Sequence, residues 1–331
     1  VKRRDASSDG FFQDVVRGWG PYTKISPSST DYQNNTVSQG SYGITDPRWG
    51  YVRGAYDGGF TVSDNSTEGD QANKYTAEYV AWCWKANGEY VINTDGIVES
   101  NVSANIEAGF SIVKFNTGSN PRSFSWGHGL SKAPKFILLK GAYDNTNYNW
   151  DVYHRAVGNS DRLKLNSTAA LEDVSPAPWD DTRPDENVVY QNNSYSYTND
   201  RGDYSWYGQN KNCIAYCWHE VEGYSKFGNY HGNGTTEGPF VYTGFRPAMI
   251  ILKEIGGTGT WNLIDTTRDP KNPNYFFYVL NTSTGDDTGA VIQTYSNGFR
   301  INLTSGNFND NNVNYMFAAW AESPLKHSYG R

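Results

Sequence analysis

Two carboxylates near the middle of the chain have the spacing of a catalytic pair. Glu220 and Glu222 are two residues apart, so on a β-strand they would share a face at a separation of about 6.6 Å. The two carboxyl groups of a glycosidase are separated by a similar distance. The five histidines occur singly, and the chain has no metalloprotease, nucleophile-elbow or phosphate-loop motif. A glycan hydrolase is therefore the enzymatic alternative that the sequence leaves open.

Two acidic segments carry the oxygen ligands that Ca²⁺ prefers. One is residues 179–187, which include three aspartates, and the other is residues 307–310. The three cysteines form neither a zinc-like cluster with histidine nor, being odd in number, a complete disulfide framework. Acidic surface loops without an ion are more common than calcium sites. We expect no metal site and no cofactor, with calcium as the alternative.

These candidates lie in a chain that repeats one pattern three times. The aligned segments are residues 79–86, 213–220 and 315–322, with Trp84, Trp218 and Trp320 at the same position. Glu220 has Glu322 as its counterpart in the third copy but Ala86 in the first, and Glu222 has Pro324 and Gly88. A catalytic pair gains nothing from being half repeated. We therefore expect no catalytic residue here and a structural role for Glu220 at the end of a strand.

Further anchors follow in the same order along each copy. Residues 134–140 align with 247–253, and Val1 and Lys2 fall where 139–140 stand, so the chain starts inside a repeat and an N-terminal portion is expected to be missing. Another set in register is Asp14, His154 and Asp265. We interpret this position as a polar structural one, which argues against His154 as a general base.

Composition and patterning predict an all-β fold. Aromatic residues make up 15% of the chain and 34 of its 331 residues are glycine, which favours strands joined by tight turns. Residues 299–304 alternate apolar and polar with the period of a half-buried strand. We predict tandem antiparallel β-sandwiches, jelly-roll-like, in three copies: 1–108, truncated at its N-terminus, 109–223 and 224–331. Sandwiches in tandem suggest a stiff rod.

Charge and hydropathy exclude two classes of partner. The net charge of −7 lacks the basic face that nucleic-acid binding requires. No apolar stretch approaches the roughly 20 residues of a membrane helix, so we expect no membrane insertion.

The copies differ in their loops, where binding specificity usually resides. The first two copies carry longer insertions than the third, and these insertions are rich in aromatic residues. Aromatic faces stack on sugar rings, so the insertions supply candidate contacts with a glycan or another partner. The candidates are Trp49, Tyr51, Trp179, Tyr195, Tyr197, Trp206 and Tyr207. The alternative is that these rings pack within the insertions or against a neighbouring subunit.

Residues 215–228, 230–234 and 238–248, together with the opening 1–6 and the closing 321–324, resemble a known module. They are similar to a repeated domain of tailed-bacteriophage virion proteins of the tail-fibre-like or virion structural type. The resemblance implies a non-enzymatic component of the virus particle, a fibre, spike or adhesin on its surface. Its expected partners are other virion proteins and host surface glycan.

Two features predict a homo-oligomer, namely apolar sheet faces too numerous for one thin rod and aromatic loops with no evident internal partner. Two alternatives to an adhesin remain open. A depolymerase of the host envelope would use the glutamate pair or an intersubunit cleft, and a capsid decoration protein would bind empty capsids instead of cells.

Overall fold

The computed structural model describes residues 1–29, 50–56, 58–63, 71–119, 123–142, 148–174, 178–192, 209–304 and 306–323. Within these ranges the chain forms 22 β-strands and a single 3₁₀ turn at Pro21–Thr23, with no α-helix. None of the described residues forms a helix that could cross a membrane. The predicted all-β class is confirmed.

The strands are, in chain order, β1 (Lys2–Arg3), β2 (Val52–Tyr56), β3 (Gly59–Val62), β4 (Tyr79–Val80), β5 (Val91–Asn93), β6 (Ser100–Asn105), β7 (Phe110–Asn116), β8 (Ser123–Gly127), β9 (Phe136–Gly141), β10 (Trp150–His154), β11 (Asp161–Lys164), β12 (Glu172–Asp173), β13 (Val188–Asn192), β14 (Asn212–Trp218), β15 (Ser225–His231), β16 (Phe240–Tyr242), β17 (Pro247–Glu254), β18 (Trp261–Asp265), β19 (Asn274–Val279), β20 (Asp287–Tyr295), β21 (Gly298–Ile301) and β22 (Asn314–Ala321).

The second and third copies each build an eight-stranded antiparallel sheet. The orders are β12-β11-β10-β9-β14-β7-β6-β5 and β15-β22-β17-β18-β19-β20-β21-β16. Five consecutive strands correspond in the two sheets, because β7-β14-β9-β10-β11 matches β15-β22-β17-β18-β19. The first copy contributes the pairs β1-β4 and β2-β3. We call β14, β22 and residues 79–86 the Trp strands of their copies.

The strand registers confirm the alignment of the repeats. Lys140 lies opposite Ile214 and Lys253 lies opposite Met316, while Lys2 lies opposite Val80. Val1 and Lys2 therefore take the place predicted for them.

One anchor is displaced by a residue. Phe110 pairs with Trp218, but Ser225, and not the aligned Tyr224, pairs with Trp320. The turn before β15 takes up the extra residue, since the Ser225 amide closes it on the Val221 carbonyl at 2.8 Å.

The sheets do not divide at the predicted boundary of residue 108. Strands β5 and β6 pair with one another and, through β6, with β7 of the second copy. The sheet of the second copy therefore begins at Val91.

Each of the two complete copies is a sandwich. In the second copy, the β8-β13 pair covers one face of the large sheet, with Phe124 and Trp126 packed against Val113 and Phe115. In the third copy, β20, β21 and β16 continue the sheet and fold over it to close a separate core. Alternating side chains fill both cores, as period-two strands require.

The opposite sheet faces of all three copies meet in one shared core. Trp84, Trp218 and Trp320 pack edge to face there, with centroid separations of 5.7, 5.4 and 5.9 Å and interplanar angles of 69, 68 and 71°. The three rings form a nearly equilateral triangle to which each copy contributes one corner. The end-to-end rod suggested by tandem sandwiches does not form, because the apolar faces are buried against each other in a closed ring.

The aligned polar position links each copy to its neighbour. Tyr216 of the second copy donates to Asp14 of the first at 2.7 Å, and Trp82 of the first donates to Asp265 of the third at 3.2 Å. The third copy has Ala318 at the position of Tyr216 and Trp82, so it offers no such donor. At this contact the hydrogen-bond donor is instead His154 of the second copy.

His154 reverses the direction of this hydrogen bond. Its Nδ1 accepts from the Ala156 amide at 3.2 Å, so Nε2 carries the proton that is donated to the Phe317 carbonyl at 3.0 Å. An aspartate could not donate to a carbonyl. The predicted structural role of His154 fits this geometry.

Acidification from about pH 6.5 to pH 4 is expected to destabilise the protein. Burial lowers the pKa of His154 from 6.5 to about 4, so between these pH values the unfolded chain binds more protons than the folded chain. The free energy of unfolding therefore decreases as the pH is lowered. About 3 kcal/mol is lost in total, since each pKa unit corresponds to about 1.4 kcal/mol. Urea titrations at several pH values measure the slope.

Replacing His154→Gln keeps an N–H donor but removes the titration, so the slope should flatten. A residual slope remains because burial also lowers the pKa of His128 to about 4. The exposed His231 provides the control, and His231→Gln should leave the slope unchanged. An unaltered slope in His154→Gln would contradict the assignment.

Candidate surface-binding site

The glutamate pair weighed as catalytic is not assembled. β14 ends at Trp218, so both glutamates lie beyond the strand, with Glu220 before a turn and Glu222 in it. Glu220 forms ion pairs with Lys135 and Lys226 and accepts the Phe227 amide at 3.1 Å. Glu222 is exposed. The premise that the two share a strand face is wrong, and Glu220 fastens the end of the Trp strand.

Two aspartates of the acidic segment at 179–187 accept hydrogen bonds from protein donors. Asp180 accepts from Ser123 at 2.7 Å and from Asn192 at 2.9 Å. Asp185 accepts the amides of Asn187 and Val188 at 2.8 Å each. Within the described ranges no group of three acidic, histidine or cysteine side chains is arranged to hold a metal ion.

Most of the aromatic contact candidates fall outside the described residues. Those outside are Trp49, Tyr195, Tyr197, Trp206 and Tyr207. Tyr51 is half-buried, and its backbone pairs with Ser63. Trp179 is fully buried and packs edge to face on Tyr153 at 5.5 Å. Its ring is therefore not placed to contact a glycan, and for this residue the packing alternative fits.

A different aromatic surface lies on strands of the third copy. Phe240 and Tyr242 of β16 and Tyr295 of β20 are 43, 64 and 38% exposed. We call these three residues the aromatic face. Their neighbours Val241 and Phe299 point into the core, so the strand alternation fixes the three rings on the solvent side.

Cross-strand pairing gathers the aromatic face around a glycine. Gly298 lies opposite both Tyr242 and Tyr295, and the rings of Phe240 and Tyr295 meet edge to face at 5.7 Å. A Cβ atom at Gly298 would lie 2.2 Å from the Val241 carbonyl oxygen and 2.8 Å from the Phe240 ring. Glycine here allows a ring to lie directly over the sheet.

Polar side chains border the aromatic face. Arg300 lies opposite both Phe240 and Gln293, and its guanidinium pairs with Glu237 at 2.8 Å on the surface. The Tyr295 hydroxyl donates to Gln293 at 2.8 Å. Exposed rings bordered by donors and acceptors can stack on a sugar ring and hydrogen-bond its hydroxyl groups.

Comparison with protein families gives one match across almost the whole chain. The family model described as Domain of unknown function (DUF7483) covers residues 1–324. The chain belongs to this family. Comparisons with curated proteins and with solved structures gave no match. The shared core and the aromatic face both lie inside the region matched by the DUF7483 model.

The sequence analysis did not identify the aromatic face of this DUF7483 chain, because it placed the candidate contact residues in the loops where the copies differ. A short sequence pattern nevertheless indicates part of this face. Phe240 and Tyr242 are two residues apart around an apolar Val241, which on a strand with a buried opposite side places two rings on the solvent face. Their partner Tyr295 is supplied by the fold, since it belongs to a strand far along the chain.

Proposed function

We propose that this protein is a non-enzymatic structural protein of a bacteriophage particle, a tail fibre, spike or adhesin, which contacts host surface glycan through the aromatic face. The observation that carries the proposal is a set of exposed rings held on β-strands of a closed all-β body. Rigid aromatic side chains supply contact area at little cost in conformational entropy. The sequence resemblance supports a place in the virus particle, and the closed ring of three copies supports the strands that carry the aromatic face.

The proposal predicts that the protein binds bacterial surface polysaccharides and that removing two rings weakens this binding. Phe240→Ala combined with Tyr242→Ala should lower the affinity by at least about tenfold, which corresponds to about 1.4 kcal/mol. Binding is measured by biolayer interferometry on an array of immobilised envelope polysaccharides.

Tyr75→Ala is the matched control, because Tyr75 is 86% exposed but lies in the first copy. It should bind like the unmodified protein. Equal binding by the double variant would refute the site. New reducing ends formed from the polysaccharide would favour a depolymerase instead, and binding to empty capsids alone would favour a decoration protein.

We further propose that the protein is a homo-oligomer joined through β5. This strand lies at an open edge of the second copy's sheet, with Val91 and Ile92 exposed by 68 and 63%. An apolar edge strand is a template for pairing with another chain. A second copy provides the same edge, as a two-fold interface requires.

Sedimentation velocity should give an oligomer, and Ile92→Lys should shift it to the monomer, because a lysine on an edge strand opposes pairing. Ile106→Lys is the comparison, since Ile106 is also exposed but follows β6. It should leave the oligomer intact. A monomeric unmodified protein at micromolar concentration would rule this out.

A further inference from the structure

An arginine lies among the rings of the aromatic face. Arg300 follows Gly298 by two residues on β21, and Phe299 between them is buried in the core of the third copy. The side chain of Arg300 is therefore on the solvent side of the sheet. Arg300 lies directly opposite Phe240, and residues opposed in antiparallel strands have Cβ atoms about 4.5–5.5 Å apart. A sugar ring stacked on Phe240 would lie beside the Arg300 side chain.

The guanidinium of Arg300 is only partly used by the protein. A guanidinium can donate from each of its nitrogens. Nη1 of Arg300 donates to Glu237 at 2.8 Å, whereas Nε is shielded from solvent and has no hydrogen-bond partner in the described ranges. A shielded donor without an acceptor costs free energy. An acceptor that reaches the Nε edge would therefore bind favourably.

An acceptor without a partner follows on the same side of the chain. The neighbouring side chains Ile301 and Leu303 belong to the core cluster, so the alternation places Asn302 outward like Arg300. The side-chain oxygen of Asn302 is buried and accepts no hydrogen bond from the described residues. A sugar hydroxyl could donate to it. The row of Arg300 and Asn302 thus offers one donor edge and one acceptor.

The carboxylate that now pairs with Arg300 is a weak competitor. The side chain of Glu237 is 84% exposed and that of Arg300 is 36% exposed. An ion pair between such side chains adds little stability because water solvates both charges. An anion held in place by stacking on the rings can therefore displace Glu237 from the guanidinium.

The overall charge of the chain does not attract anions. The net charge is −7, so the field of the whole protein repels a polyanion instead of steering it to the surface. Any preference for an acidic ligand at the aromatic face must come from a local cation. Arg300 is the cation that the strand pairing places there.

We propose that the sugar bound by the aromatic face is a uronic acid, whose ring stacks on Phe240 while its carboxylate binds the Nε edge of Arg300. This inference rests on the proposed glycan contact and names the class of glycan. The two oxygens of a carboxylate match the parallel N–H groups of a guanidinium edge. In a uronic acid the carboxylate is attached to the ring itself, so one sugar can make both contacts. A phosphodiester instead lies between the sugars that it links.

The probes are three polymers of uronic acids, namely alginate, polygalacturonate and hyaluronan. Each is immobilised in its native form and after chemical reduction of its carboxyl groups to alcohols, which keeps the rings and removes the charge. Biolayer interferometry with the full chain measures both forms. We expect the native form of at least one polymer to bind about tenfold or more tightly than its reduced form, as for a hydrogen bond to a charged group.

Replacing Arg300→Gln should remove this preference, so that the native and reduced forms bind alike. Arg246→Gln is the matched control, because it removes the same charge from a surface ion pair in the same copy. It should keep the preference. Arg300→Lys retains the charge but not the planar fork, and its affinity for the native polymer should lie between those of the unmodified protein and Arg300→Gln.

Replacing Glu237→Gln should have the opposite effect. Loss of the competing carboxylate should raise the affinity for the native polymer by about two- to fivefold, which corresponds to a surface ion pair. Glu322→Gln changes the net charge equally and releases Arg246, yet it should leave binding unchanged. If the pair of Arg300 and Glu237 served only to hold the surface in shape, Glu237→Gln would weaken binding or have no effect.

Four results would overturn the inference. Equal binding of native and reduced polymers, with loss of binding in the Phe240→Ala and Tyr242→Ala double variant, would mean a neutral glycan and leave the proposed function standing. No binding to any polysaccharide would overturn both. A preference for the native form that survives in Arg300→Gln, with an unchanged melting temperature, would place the acid contact elsewhere. Tighter binding to a polyol-phosphate teichoic acid than to every uronic acid polymer would identify phosphate as the anion.

Discussion

Replacing Trp320→Ala should lower the free energy of unfolding by about 3–5 kcal/mol, the range for deleting a large buried aromatic side chain. Trp320 is buried and its ring contacts Trp84 of the first copy, Trp218 of the second and Phe227 of the third. Loss of this ring opens a cavity where all three copies meet. The whole chain should therefore unfold in a single calorimetric transition at a lower temperature.

Tyr75→Ala serves as the control, since an exposed aromatic side chain away from such contacts should change stability by no more than about 0.5 kcal/mol. Two transitions in Trp320→Ala, one of them at the original temperature, would mean that the copies fold independently. That outcome would contradict a shared core.

Asp14→Ala should also cost about 3–5 kcal/mol, the range for removing one partner of a buried ion pair. Asp14 accepts from Arg17 at 2.5 Å and from the Tyr216 hydroxyl at 2.7 Å, and the Arg17 side chain is fully buried. Burial raises the pKa of Tyr216 well above its usual value, so the hydroxyl stays protonated and cannot replace the lost anion. Chemical denaturation measures the loss.

The exposed pair of Arg246 and Glu322, 2.9 Å apart, is the comparison for this measurement. Glu322→Ala should change stability by less than about 1 kcal/mol, as is usual for surface ion pairs. A similarly small loss of stability in Asp14→Ala would show that the contact between the first and second copies contributes little to the free energy of unfolding.

The equivalence of the three copies could be predicted from sequence because each Trp strand carries its anchors at fixed spacing. The strand beside each Trp strand carries a lysine next to its last residue, and the Trp strand carries its tryptophan. These two residues mark which side chains face each other, and a slip of one residue would turn every buried side chain to the opposite face. The shift at Ser225 escaped prediction because it depends on the length of a turn.

Ring closure could not be predicted from the same alignment. Three equivalent segments fit a rod and a ring equally well, since the pattern states which face is apolar and not what covers it. The polar position of Asp14, His154 and Asp265 was visible in sequence, but its partners belong to other copies. Trp82 and Asp265, for example, are 183 positions apart.

The aromatic face was only half accessible to sequence reasoning. Phe240 and Tyr242 follow the strand period, whereas Tyr295 joins them through pairing with Gly298, which is a tertiary contact. The buried Trp179 shows the opposite difficulty. It was a candidate for contact with a partner, yet its ring is fully buried and packs on Tyr153.

The three seams of the ring are chemically distinct, and this has a consequence for assembly in a crowded cell. A tyrosine meets a carboxylate at one seam, an indole meets a carboxylate at the second, and an imidazole meets a carbonyl at the third. Identical seams would let repeats of different chains complete one another and entangle into mixed aggregates. Because the three seams use different donor and acceptor groups, we expect a chain with two of its repeats exchanged to lose these hydrogen bonds when the ring closes.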